Sequence, residues 1–213
     1  MAGSVEIRDP IHGFIELDEW ELDIVNHPVF QRLRRVRQLG LTDMVYPGAT
    51  HSRFEHSLGV MHVATRMFEA IVNRRQGFLR DTYNYDSAGL ERDKRILRLA
   101  ALLHDVGHAP FSHTGEDLMP EYETGKQYSH EHYSAAVVAS QLKDVIESHP
   151  INQNLEIRAK DIADFLVGRS SVGRRLFWRN LVDGQLDADR ADYLLRDSYH
   201  VGVRYGHYDL GTL

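Results

Sequence analysis

Three places in the sequence bring together side chains fit for metal chemistry: His56, the pair His104-Asp105, and the run holding Asp187, Asp189 and Asp192. A His-Asp pair alone carries little information. This one closes an apolar run, Leu99, Ala100, Ala101, Leu102 and Leu103, and a carboxylate beside such a core is costly unless paired or metal-bound. His108 stands one turn beyond His104 on the same face, and Gly107 admits a second backbone or a ligand at close range. His56 lies among Phe54, Leu58 and Val60, where an imidazole needs a partner; a backbone carbonyl is the plain alternative to a metal. Helix capping and dipole compensation account for one Asp of the 187–192 run but do not require three.

Imidazoles and carboxylates without thiolates suit Fe, Mn, Co, Zn or Mg, and the donor set does not choose among them. Such an ion polarises a phosphoryl oxygen and lowers the pKa of water, while nearby His and Glu move protons. The histidine count agrees: five fall between His104 and His132, where an even spread of the chain's 13 would put about two.

The elements that must position these groups are helical. The 213 residues are 42% hydrophobic and 26% charged, which fits one ordinary domain. No apolar run exceeds five residues, so no membrane span is expected. The start lacks a signal peptide's apolar core. There is no Cys, which excludes disulfides and thiolate sites, and a cytoplasmic setting is expected. The net charge of −6 does not favour nucleic acid as a partner. The 21 Arg against 4 Lys suit phosphate recognition, although coding bias explains such an excess equally well.

Residues 5–8 and 13–17 read as a small hairpin. Asp18 with Glu21, and Ser52 with Glu55, read as capping boxes. Helices are expected at 28–39, 52–72, 96–108, 129–148, 159–167, 172–182 and 187–199, with 73–93 and 114–128 as loops. The helix at 52–72 is apolar almost all round and so should be buried. In the one at 129–148, Tyr133, Ala136, Val137, Val145 and Ile146 should face inward.

Four blocks carry a resemblance: FQRLRRVRQLG at 30–40, YPGATHSRFEHSLGV at 46–60, HDVGHAPFSH at 104–113 and DRADYLLRD at 189–197. They closely resemble the HD-domain phosphohydrolases, in the deoxynucleoside triphosphate triphosphohydrolase branch that contains the SAM-and-HD-domain protein and its bacterial relatives. The resemblance implies an all-α, HD-domain helical bundle with a small N-terminal β-hairpin. It implies a single HD domain over 1–213, shortened at its C-terminal end, since this branch usually continues into a part that closes the nucleotide pocket and builds oligomers.

It further implies a divalent metal held by His56, His104, Asp105 and Asp189, with Asp187 the second choice for the fourth ligand. Arg53 would grip a phosphate, and its place three residues before His56 puts both on one helix face. His108, His113 and His130 would line the phosphate site. His130 and Glu116 would handle protons, although Glu116 stands where many relatives carry Asp. Gln38 and Leu39 would face the 3′ side of the sugar, and Tyr193 and Asp197 would contact it as well. Arg190, where Lys is common, would meet a phosphate. The implied activity is metal-dependent hydrolysis of dNTPs to deoxynucleoside and triphosphate by a homo-oligomer. The same metal site also suits another nucleotide phosphatase, a phosphodiesterase, a single-strand nuclease or a nucleotide-binding regulatory module.

Overall fold

The computed structural model describes residues 3–206 and residue 208, apart from the side chains at 113, 114 and 117. The chain opens with an antiparallel hairpin of β1 (Val5–Asp9) and β2 (Gly13–Leu17), in register from Val5 opposite Leu17 to Asp9 opposite Gly13. Asp9 closes its turn: Oδ1 accepts the backbone N–H of Ile11 at 2.8 Å and of His12 at 2.9 Å. Period-two alternation buries Ile15 and Leu17 against the helices.

Asp18 and Glu21 cap α1 (Glu19–Asn26) reciprocally, as the sequence predicts. The helix expected over 28–39 is shorter. It comprises α2 (Pro28–Gln31) and a 3₁₀ turn at Arg32–Arg35. Beyond that the backbone pairs elsewhere: Gln38 N–H donates to His51 O at 3.1 Å and Arg53 N–H to Val36 O at 2.9 Å. These bonds outcompete another helical turn and draw residues 36–38 against 51–53.

The longest helix, α3 (Arg53–Tyr83), starts at the Ser52–Glu55 capping box. It continues a full eleven residues beyond the expected stop, through a kink at Arg75. Arg, Gln and Leu are good helix formers, and burial of Leu79 anchors the extension, so Gly77 does not end it. Next, α4 (Ser87–Leu103) packs along α3 and buries Ile96, Leu97 and everything from Leu99 to Leu103.

After α4 come a 3₁₀ stretch (Ser112–Leu118) and a small hairpin of β3 (Glu121–Glu123) and β4 (Lys126–Gln127), where a loop is expected. The segment expected as one helix at 129–148 is two, α5 (His130–Ser140) and α6 (Lys143–Glu147). The inward face of α5 differs from expectation: Ser134 and Val138 are buried, whereas Tyr133 and Ala136 are exposed. Finally α7 (Ala159–Leu166) packs on α4 and α5, α8 (Leu176–Arg179) follows a second 3₁₀ stretch, and α9 (Ala188–Val201) lies against α3. The result is a helical bundle with a small N-terminal hairpin. Among the described residues no helix is long and apolar enough to cross a membrane.

Candidate metal centre

The first turn of α3, the C-terminal end of α4 and the first turn of α9 meet at one point. His56 Nε2 lies 2.9 Å from Asp189 Oδ1 and 3.8 Å from Asp105 Oδ2. His104 Nε2 lies 3.4 Å from Asp105 Oδ1 and 3.8 Å from Asp189 Oδ1. One ligand atom each from His56, His104 and Asp105 falls within 4.8 Å of the others. His56 and His104 meet edge to face, their centroids 5.3 Å apart.

Both imidazoles are held from behind. His56 Nδ1 donates to Asp192 Oδ2 at 2.7 Å, and His104 Nδ1 donates to Ala101 O at 2.8 Å. That leaves each Nε2 facing the cluster, and each is buried without a hydrogen-bond partner. His56 Nε2 and Asp189 Oδ1 stand in close contact inside the cluster. A buried donor set of nitrogens and carboxylate oxygens, each nitrogen fixed by a second contact, fits a divalent cation.

The charges are arranged to match. Burial alone would raise the Asp105 carboxyl, but His104, Arg53, His108 and His56 hold it well below the usual carboxylate range. Asp189 is likewise held low, burial being outweighed by His56 and His104. Burial would lower the His56 imidazole; Asp189 and Asp192 instead raise it to about 10.

The turn after α4 is clamped from both sides. Arg32 donates to His108 O at 2.8 Å and to Val106 O at 2.6 Å. On the other side Ser134 Oγ accepts from Gly107 N–H at 2.8 Å and donates to His104 O at 2.6 Å. A Cβ at Gly107 would overlap the Ser134 backbone nitrogen, so the close approach expected of this glycine is made by α5.

His108 and His130 stack 3.9 Å apart beside Asp105, with Nε2 atoms 3.4 Å and 4.0 Å from its Oδ1. Asp105, His108 and His130 thus form a second group of donors within 4.8 Å. His130 Nδ1 pairs with Glu116 Oε1. The side chain of His113 lies outside the described residues.

Arg53 is buried and engaged: Nη1 pairs with Asp105 and Nη2 donates to Ser112 Oγ at 2.5 Å. Ser112 holds a left-handed backbone, φ 54°, a strained conformation of the kind found at functional sites. Arg53 borders a cleft of about 590 Å³ that also contains Gln38, Leu39, Tyr193 and Asp197. The structure therefore gathers all the residues expected around the sugar. The Gln38 carboxamide oxygen is buried there without a partner. Arg190 instead lines a smaller hollow, about 150 Å³, with His104, His130 and Asp189. Asp187 caps α9, accepting from Arg190 N–H at 2.8 Å and Gly184 N–H at 3.0 Å, and so stays out of the cluster.

A third hollow, about 410 Å³, lies between the hairpin, α3 and α4, away from these groups. Its Arg95 and Arg98 are already paired with Asp18 and Glu21.

Residues 53–197 match the HD domain family. The chain belongs to the HD-domain family. Members of this metal-dependent phosphohydrolase superfamily bind divalent metals, and the cluster can hold one. An uncharacterised protein of Methanocaldococcus jannaschii is 39% identical over 204 residues, covering 96% of this chain and 36% of that protein. A protein of Dictyostelium discoideum named as a deoxynucleoside triphosphate triphosphohydrolase SAMHD1 homolog is 35% identical over 199 residues, covering 92% of this chain and 36% of its own. The crystal structure of a hypothetical protein from Aquifex aeolicus superposes with a TM-score of 0.76 at 34% identity, over 99% of this chain and 50% of that one. The chain thus spans between a third and a half of the length of these relatives.

Several residues that hold the HD domain's site together escape sequence reasoning, namely His12, Arg32, His51, Ser134 and Arg196, and Asp192 is read there only as a member of the acidic run. His51 is buried and donates from Nε2 to Asp197 Oδ1 at 2.7 Å, turning that carboxylate in the cleft. For Asp192 a signal exists, because Asp189 three residues earlier and Arg196 four later share its helix face.

Proposed function

We propose that the protein hydrolyses deoxynucleoside triphosphates to deoxynucleoside and triphosphate, with a divalent metal held by His56, His104, Asp105 and Asp189. One observation carries this reading: Arg53, which pairs with Asp105 of the metal-competent cluster, also borders the cleft where the buried Gln38 carboxamide oxygen awaits a hydroxyl donor. The 3′ hydroxyl of a deoxyribose supplies that donor. Leu39 and Tyr193 would pack on the sugar, and Asp197, oriented by His51, would accept a further hydrogen bond.

When bound, the ion supplies Lewis-acid polarisation of a phosphoryl oxygen. Arg53 would meet the phosphates from the side of Ser112, and Arg190 from the smaller hollow. His108 and His113 would line the phosphate path. The Glu116 carboxylate accepts from His130 Nδ1 and so turns His130 Nε2 toward Asp105. His130 would pass a proton to the departing 5′ oxygen as water attacks the α-phosphorus and the P–O5′ bond breaks.

The reading carries a cytoplasmic homo-oligomer, checked by sedimentation of the purified protein. The central test is incubation with each dNTP and NTP across Mg²⁺, Mn²⁺, Co²⁺, Zn²⁺ and Fe²⁺, with products separated by ion exchange. Triphosphate with free deoxynucleoside is expected. Pyrophosphate or orthophosphate as first product would replace it with a different nucleotide hydrolase, and binding without product would point to a regulatory module.

A further inference from the structure

Asp192 is wholly buried and gathers donors from three directions: His56 Nδ1 at 2.7 Å, His12 Nε2 at 2.6 Å, and Nε and Nη2 of Arg196, both at 2.8 Å. An ionised carboxylate only accepts, so both imidazoles must offer it an N–H. Neutral His56 then carries its lone pair on Nε2, the atom that faces Asp105 and Asp189.

His12 reaches Asp192 from outside the bundle. It sits in the turn between β1 and β2, beyond the residues 53–197 that match the HD domain. The turn is locked to α9, since Asp9 accepts from Arg196 Nη1 at 2.8 Å while binding the His12 backbone N–H. The His12 side chain is 1% exposed, and its ring packs on His62 at 5.2 Å.

We propose that His12 is a positioning residue for the metal centre, fixing the orientation and tautomer of His56 through Asp192. The N-terminal hairpin is thereby a working part of the site. Without the His12 donor, Asp192 Oδ1 keeps only Arg196, and the carboxylate turns toward that guanidinium and away from His56. A residue serving only to fill space would act on stability alone. This inference rests on the metal reading above.

The experiment is Co²⁺ titration of the purified protein, followed by calorimetry and visible absorption, for wild type and for His12→Ala, His12→Asn, His12→Gln and His104→Ala. His12→Ala and His12→Asn, whose amide is too short to reach, are expected to weaken Co²⁺ binding about 10–100-fold and to change the absorption bands. His12→Gln places an amide N–H near the former Nε2 and should restore most of both. Wild-type affinity and spectrum in the Ala and Asn variants, whatever their melting temperatures, would overturn the proposal while leaving the metal reading intact. Equal Co²⁺ binding by wild type and His104→Ala, or no binding by either, would overturn the metal reading and this inference with it.

Discussion

In the buried metal cluster, the floor of the site, His56, His104, Asp105 and Asp192 stand on or beside the ends of long helices, and each is fixed by a further contact. At the rim of the cleft, Leu41 and Phe111 stand on connecting segments, and Met44, on the same segment as Leu41, is 81% exposed. The floor meets the cost of burying charge by pairing every charge it holds. The rim buries almost nothing and contributes little to folding. Chemistry is therefore held by rigid elements, while the surfaces that meet the rest of a substrate are free to differ between relatives.

Experiments can press on this contrast from both sides. His104→Ala removes a floor donor and should leave the protein folded but without bound metal. Hydrolysis should fall roughly 10³-fold or more, given that polarisation is worth several kcal/mol at about 1.4 kcal/mol per decade. Metal content by mass spectrometry and product assays check it together, and retained metal would break the assignment.

Arg196→Met breaks a fully buried ion pair and should cost about 3–5 kcal/mol in urea unfolding. Burial would raise the Asp192 carboxyl, but Arg196, His12 and His56 hold it well below the usual range. Its contribution is complete above the unfolded value, about 3.9, and is lost as pH falls toward the depressed folded one. The gap between variant and wild type should thus narrow below about pH 4; a constant gap would mean that the carboxylate's charge is not what stabilises the floor.

Glu116→Gln releases the orienting partner of His130 and should lower kcat about 100-fold, the lower end for proton transfer, with metal content unchanged. Loss of metal in that variant would join the two donor groups into one unit. Gln38→Ala should raise KM about tenfold, the equivalent of one hydrogen bond, and should narrow discrimination between substrates with and without a 3′ hydroxyl. At the rim, Met44→Ser should change unfolding free energy by no more than about 0.5 kcal/mol. A larger loss would make the rim part of the folded core.

Legibility in the sequence follows the same division. His56, His104 and Asp105 stand out because polar residues among apolar helix neighbours need a reason, whereas Asp189 is singled out of its acidic run only by the family resemblance; the structure brings the four side chains close together. The hairpin and both capping boxes depend on local chemistry alone, which is why they are readable. Where distant backbone competes, local reading fails: the helix at 28–39 ends early because residues 51–53 take its hydrogen bonds. Polar composition and two glycines hide the last eleven residues of α3, whose anchor, Leu79, shows only through burial. The inward face of α5 is hidden from local reading because Ser134, a polar residue, is buried to serve the turn at Gly107. Nothing in the spacing of His12 or His51 reveals their carboxylate partners, which lie 180 and 146 residues away.

One glycine constrains how such a molecule can work. A Cβ at Gly59 would run into the Asp192 carboxylate, and Arg196 Nη2 lies 2.5 Å from that point. The α9 ion pair thus occupies the notch that this missing side chain leaves in α3. Sliding either helix would drag a buried salt bridge across the other's backbone, so the two travel as one body. On the proposed function, any opening of the site to admit substrate then falls to the segments around 39–50 and 109–128 rather than to these two helices.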